Sequence, residues 1–220
     1  MSKANLVQAI EKAIGALEPV YRNSADESDL YEASLMVLCL DAVKDVGGTT
    51  LLTQDGSNPA SALRFRRSPG NLWTGAFTYG LVSLPGTQKR LEIHLGVYVA
   101  GRSKVAHECD VAIIDQREAE RSRLAGVHPR SHKLVAAIEA KHYATSPGLG
   151  VGRSFLGLAQ ELGQDNCSLV YPSRSSTNLA ALIAHRRSEA YEQLLPGAPA
   201  AARLRAHLDQ AIRKWKARQI

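Results

Sequence analysis

Little in this chain could staple it from within or fix it in a membrane. Three cysteines, Cys39, Cys109 and Cys167, stand far apart in 220 residues, each inside an apolar run. An odd number without paired spacing argues against a disulfide framework and fits buried thiols in a reducing compartment. His107, Cys109 and His142 match no standard zinc spacing, so a zinc site is not expected. No apolar run approaches the ~20 residues of a membrane span. The opening Met-Ser-Lys-Ala-Asn lacks a signal-peptide core. The expectation is therefore a cytoplasmic protein without a membrane partner. No internal repeat is present.

What is there suits one α/β domain over residues 1–220, with 45% hydrophobic residues to build a core. The net charge is +6, and basic residues exceed acidic ones most clearly towards the C-terminus. A positive surface concentrates polyanions and speeds their capture, which makes nucleic acid a candidate partner.

Along the chain, apolar spacing predicts helices at residues 5–17 and 27–46, the second closed by Gly47-Gly48. Residues 51–52, 62–66, 73–84 and 91–99 read as strands separated by turn-rich segments. Arg64, Arg66 and Arg67 beside Trp73 would line a nucleic-acid groove or a solvated edge. The basic turn Gly101-Arg102-Ser103-Lys104 joins the strand at 91–99 to the next one as a hairpin. A charge-dense link, residues 116–132, carries a short helix or a loop. A helix at 151–162, a strand at 167–171 and helices at 177–194 and 200–218 complete the expected order. The strand at 167–171 returns to the sheet after a crossover helix.

Two apolar runs carry the chemistry, residues 107–115 and 133–141. Side chains alternate along a strand, so Glu108 and Asp110 share one side of the first run, and Glu139 and Lys141 one side of the second. If the strands pair, the acids converge, and a hard divalent cation would offset their repulsion.

The Glu139-Ala140-Lys141 ending, with Asp110 on the preceding strand, resembles the signature of the PD-(D/E)XK nuclease superfamily. The pattern differs at the residue before the aspartate, which is Cys109 rather than proline. The Gln-x-x-x-Tyr pattern of one branch is absent, since Gln164 stands four residues after Gln160. The resemblance implies a restriction-endonuclease-like fold: a central mixed β-sheet flanked by helices, an αβββαβ core over about 26–172, extra N-terminal helices, and C-terminal helices over about 177–218. It also implies Asp110, Glu139 and Lys141 as catalytic residues. Mg²⁺, replaceable by Mn²⁺, would be held by Asp110, Glu139, the Ala140 carbonyl and Glu32 from the first core helix. Glu32 reads equally as an ordinary acid of a helix's first turn. Arg153, Arg102 and Lys104 are the expected nucleic-acid contacts. The implied activity is Mg²⁺-dependent hydrolysis of DNA in restriction or phage defence, by a homodimer or with a partner subunit. The alternative is a non-catalytic module of the same fold that binds nucleic acid or a partner.

Overall fold

The computed structural model describes residues 2–142, 145–186 and 188–219; Tyr143, Ala144 and Arg187, which fall in the expected loop and basic pair, lie outside them. The chain runs α1 (Lys3–Ile14), α2 (Pro19–Ser24), α3 (Glu27–Asp45), β1 (Thr49–Thr53), β2 (Tyr79–Ser83), β3 (Arg90–Ala100), β4 (Ala106–Asp115), α4 (Gln116–Ala125), β5 (Leu134–Ala140), α5 (Leu149–Leu162), β6 (Cys167–Val170), α6 (Thr177–Arg186), β7 (Glu189–Tyr191) and α7 (Pro199–Ala217). The seven strands form one open sheet in sequence order. β1 to β5 are antiparallel neighbours, and β5, β6 and β7 are parallel. The α5 connection between β5 and β6 is the expected crossover.

The helix boundaries follow local chemistry. Asp26 and Asp29 form a reciprocal capping box at the start of α3, and Gly47 at φ +74° ends it. Asp115 caps α4 by accepting from the Arg117 N–H at 3.0 Å, and Gly126 leaves that helix in a left-handed conformation. Pro199 opens α7, where a missing N–H does no harm.

Helices cover both faces of the sheet. On one face α1, α3 and α7 bury Leu35, Met36, Leu204 and Leu208 against Leu91, Ile93 and Leu95. On the other, α5 and α6 bury Phe155, Leu162 and Leu179 against Val97, Val99 and Cys109. Leu95 and Val97 therefore belong to opposite faces, although simple alternation would put them on one. The break is at Gly96, whose φ of +56° an L side chain rarely adopts, and a Cβ there would meet Arg66 Cβ at 3.2 Å. Its partner strand switches in step, Val111 facing α3 and Cys109 facing α5. Asp110 lies at that switch, between the Leu95–Val111 and Val97–Cys109 pairs.

Several expected elements differ. Residues 62–66 form no strand, only an isolated bridge from Leu63 to Leu17, and the strand expected at 73–84 shrinks to β2. Between them the chain is held by side chains: Thr78 Oγ1 accepts from the Arg64 N–H, and Arg66 donates to the Asn71 and Thr74 carbonyls. The helix expected at 177–194 stops at Arg186, and Glu189–Tyr191 adds a strand to the edge beside β6. The first helix begins at Lys3 and ends at Ile14, and Pro19–Ser24 adds a short helix before the Asp26 cap. All three cysteines are buried free thiols, as expected.

Glu118 on α4 anchors the link between β4 and β5. It accepts from Arg121, from the Arg130 side chain at 2.6 and 3.0 Å, and from the Arg130 N–H at 2.9 Å. Burial alone would raise its carboxyl, but these donors outweigh burial and hold it down at about 2. A depressed carboxylate stabilises the fold above its unfolded value near ~4.3 and loses that contribution as pH falls towards the folded one. Thermal midpoints should therefore drop between about pH 4.3 and 2, while Glu118→Gln is less stable at neutral pH and flatter across that window. Identical pH slopes for the two proteins would contradict this.

Candidate metal and nuclease site

The carboxylates lie where the sheet changes from antiparallel to parallel pairing. Val111 on β4 pairs with Ile138 on β5, and Asp110 and Glu139 stand one residue beyond that pair. Asp110 is buried, and its Oδ2 accepts the Ala140 N–H at 2.6 Å. A main-chain donor thus serves a side chain on the neighbouring strand rather than a ladder carbonyl. In a strand the N–H and C=O of one residue point to the same edge, so the Ala140 carbonyl also faces β4. Lys141 continues the pairing beyond the strand, its N–H donating to Val170 O at 2.9 Å.

Glu139 and Lys141, two residues apart, reach each other: Lys141 Nζ is 2.6 Å from Glu139 Oε1, and both side chains keep some exposure. Asp110 sits in electrostatic conflict. Burial raises its carboxyl first and the nearby Glu139 raises it further, with the Ala140 N–H and Lys141 pulling the other way; the balance is well above the ordinary aspartate value. Glu32, on the second turn of α3, is half-buried, and its carboxyl is pushed up to about 9 by burial, then by Asp110, Asp29 and Glu108, with Lys141 opposing. Its electrostatic neighbours are the strand carboxylates, so α3 brings a third acid to them from another layer. Glu108 is exposed, and burial of its carboxyl group and Glu139 raise it.

Asp110 meets the Ala140 N–H, Lys141 meets Glu139, and Glu32 is coupled to Asp110 and Lys141 through their charges. Among the described residues, however, no three His, Cys, Asp or Glu side chains are drawn close enough to hold an ion as they stand. The donor chemistry nevertheless fits a hard divalent cation. Buried acids crowded with a single lysine raise each other, and oxygen-ligated Mg²⁺ would relieve that repulsion.

The expected nucleic-acid contacts are exposed and lie at two places along α5. Arg153 lies in the second turn of α5. Arg102 and Lys104 are in the β3–β4 turn, which docks on the last turn of the same helix: the Arg102 N–H donates to Glu161 O, and Ser103 donates to the Glu161 carboxylate. Eight helical residues separate Arg153 from Glu161, about 12 Å along the axis. The arginines expected to line a nucleic-acid groove or a solvated edge are each engaged within the fold. Arg67 pairs with Asp29 at 3.0 Å, Arg64 with Glu18 at 3.6 Å, and Arg66 is buried under Phe77.

One cluster was not anticipated. Glu92, wholly buried on β3, accepts from Arg123 at 2.6 and 2.8 Å and faces His94 Nε2 at 2.7 Å. Its signal in the sequence is two polar residues spaced by two among Leu91, Ile93 and Leu95. A basic cleft of about 510 Å³, lined by Lys89, Lys133, Lys214 and Arg218, lies at the N-terminal end of β5. The carboxylates lie about 20 Å away at the other end of that strand.

The chain matches no protein-family model, no curated protein and no solved structure.

A raised carboxyl supports the fold fully below its unfolded value and loses that support as pH rises through the folded one. With EDTA present, the thermal midpoint should decline from about pH 4.3 to 9. Glu32→Gln should raise it at pH 8, and Mg²⁺ should lift the wild type more than the variant. A Mg²⁺ shift of equal size in both, read by calorimetry, would remove Glu32 from the site.

Proposed function

We infer that the chain is a Mg²⁺-dependent endonuclease that hydrolyses DNA phosphodiester bonds, serving in restriction or phage defence. The observation that carries this reading is the single neighbourhood of Asp110, Glu139, Lys141 and Glu32, built from two adjacent strands and the helix before them. The element order supports it too: with β1, β2 and α4 taken as additions, α3, the antiparallel β3–β4–β5, the α5 crossover and parallel β6 run in the αβββαβ order.

In this reading Asp110, Glu139 and the Ala140 carbonyl would hold the cation, with Glu32 as a further carboxylate for it. When bound, Mg²⁺ polarises the scissile phosphate and offsets charge on the leaving oxygen. The Ala140 N–H holds Asp110 in a fixed orientation. Lys141 is a compact cation that can share the pocket with a phosphate, neutralise one of its oxygens and orient the attacking water. Its contact with Glu139 positions the ammonium group before substrate arrives. Exposed Arg153, Arg102 and Lys104 and the basic cleft beside α7 supply backbone contacts, whose contribution falls as salt rises.

A non-catalytic module is the second reading, favoured by the lack of three converged ligand side chains among the described residues. Plasmid nicking with Mg²⁺ and with EDTA separates the two. Asp110→Asn, Glu139→Gln and Lys141→Ala should each reduce cleavage at least ~100-fold while leaving circular dichroism unchanged. Lys141→Ala should still bind Mn²⁺ by calorimetry, whereas Asp110→Asn should not. Full activity in any purified variant would refute the assignment.

A further inference from the structure

His94 and Arg123 of the Glu92 cluster line a cavity distinct from the carboxylate site. Glu92 as a carboxylate can only accept hydrogen bonds, so His94 Nε2 carries the proton towards it and Nδ1 is left as an acceptor. Burial, partly opposed by Glu92, lowers the His94 imidazole and keeps it neutral. Among the described residues Nδ1 has no partner, and His94 lines a cavity of about 290 Å³. The ring lies flat on Tyr79, with centroids 4.9 Å and planes 19° apart, and Arg123 sits over the same Tyr79 ring at 5.5 Å. Trp73 and Phe77 supply further aromatic wall.

Arg66 gives this cavity its chemistry. It is 7% exposed, and its guanidinium lies 4.5 Å from the Phe77 ring centre. Nη2 donates to two neutral carbonyls, Asn71 O at 2.9 Å and Thr74 O at 3.1 Å. Nε is buried without a partner, and among the described residues no carboxylate lies within 4.0 Å of the group. Burial lowers its pKa to about 10. A buried cation without an anion is unfavourable, and the fold shows elsewhere how it supplies one: Arg123 lies on Glu92, and Arg121 and Arg130 lie on Glu118.

We propose that this cavity binds a nucleotide unit: a planar base against Tyr79, Phe77 and Trp73, an N–H of that base donating to His94 Nδ1, and a phosphate on Arg66. The unit is either a free mononucleotide or one carried on a single strand, which present the same chemistry. Nη2 is held by the two carbonyls and Nε is enclosed, so a phosphate oxygen would meet Arg66 Nη1, and aromatic faces accept any base by stacking. The volume suits one such unit and no more. Arg123 also lines the cavity, but its guanidinium is engaged by Glu92, and Asp55 on the same wall is engaged by Ser57 and Asn58.

The test uses the full chain with nucleoside 5′-monophosphates, the matching nucleosides and a short single-stranded oligonucleotide, read by calorimetry and tryptophan fluorescence. Monophosphates should bind and quench Trp73, and Arg66→Gln should weaken them about tenfold or more while leaving nucleosides unchanged. Binding of the oligonucleotide alone, with the same Trp73 quenching and Arg66 dependence, identifies the strand as the source. Trp73→Ala should weaken every binder, and this half-buried loop residue serves if Arg66→Gln fails to fold. Asp110→Asn should leave this binding intact, so the cavity and the nuclease reading can fail separately. Absence of binding by all three ligand types, or affinities indifferent to both Arg66→Gln and Trp73→Ala, overturns the proposal.

Discussion

The hydrogen bond from the Ala140 N–H to Asp110 Oδ2 is the constraint on which the candidate site depends. A buried carboxylate must be hydrogen-bonded or neutralised. Here the donor is taken from the main chain of the adjacent strand, so Asp110 can keep its place only while β4 and β5 hold their register. A slip of one residue would turn the side chains over and put an apolar residue where the acid now sits. The same register sets Glu139 beside Asp110 and leaves Lys141 at the strand end, where it can reach Glu139. Because α3 packs across β3 and β4, Glu32 joins the cluster without any strand contributing it.

Gly96 extends this constraint across the sheet. Its left-handed conformation lets β3 change the face it presents, and β4 changes with it. Leu91, Ile93 and Leu95 can then seal α3 while Val97 and Val99 seal α5, both on one continuous strand. Asp110 occupies the crossing point, where a side chain belongs fully to neither apolar layer. That explains how a carboxylate can be buried among strands whose neighbours are Val, Ile and Cys.

The parts of this arrangement that were legible in the sequence are those written in periodicity. The runs around Asp110 and Glu139, the apolar α3 with its Gly stop, and the return strand at Cys167 carry uninterrupted patterns that local geometry then obeys. What was not legible depends on contacts between distant residues. Residues 62–78 look strand-like by composition, yet Arg64, Arg66 and Thr78 satisfy the backbone with side chains, which no period records. β7 is three residues long and exists because β6 offers it an edge. The alternation used to place Glu108 and Asp110 together breaks beside them at the Gly96 switch, although both carboxylates still act on Glu32. Arg66 looked like a surface cation because nothing local announces the Phe77 ring above it.

The treatment of buried acids separates scaffold from site. Glu92 and Glu118 are each met by arginine forks: burial opposes their ionisation, and the forks outweigh it, so both are held below the usual carboxylate range. Their charge is settled within the fold. Glu32 and Asp110 are raised instead, with Lys141 shared among neighbouring acids and no arginine fork at either. The chain has arginines to spare and places them on acids that hold α4 and β3 in position. Leaving the other two acids in conflict works against stability, a conflict that the proposed cation would relieve. Perturbed acids concentrated in one place are what a cation site needs before its ion arrives. The uncompensated Arg66 obeys the same logic with the sign reversed, one fold thus presenting acids short of a cation and a cation short of an anion. In the proposed readings a nucleotide phosphate would answer the second need as a divalent metal would answer the first.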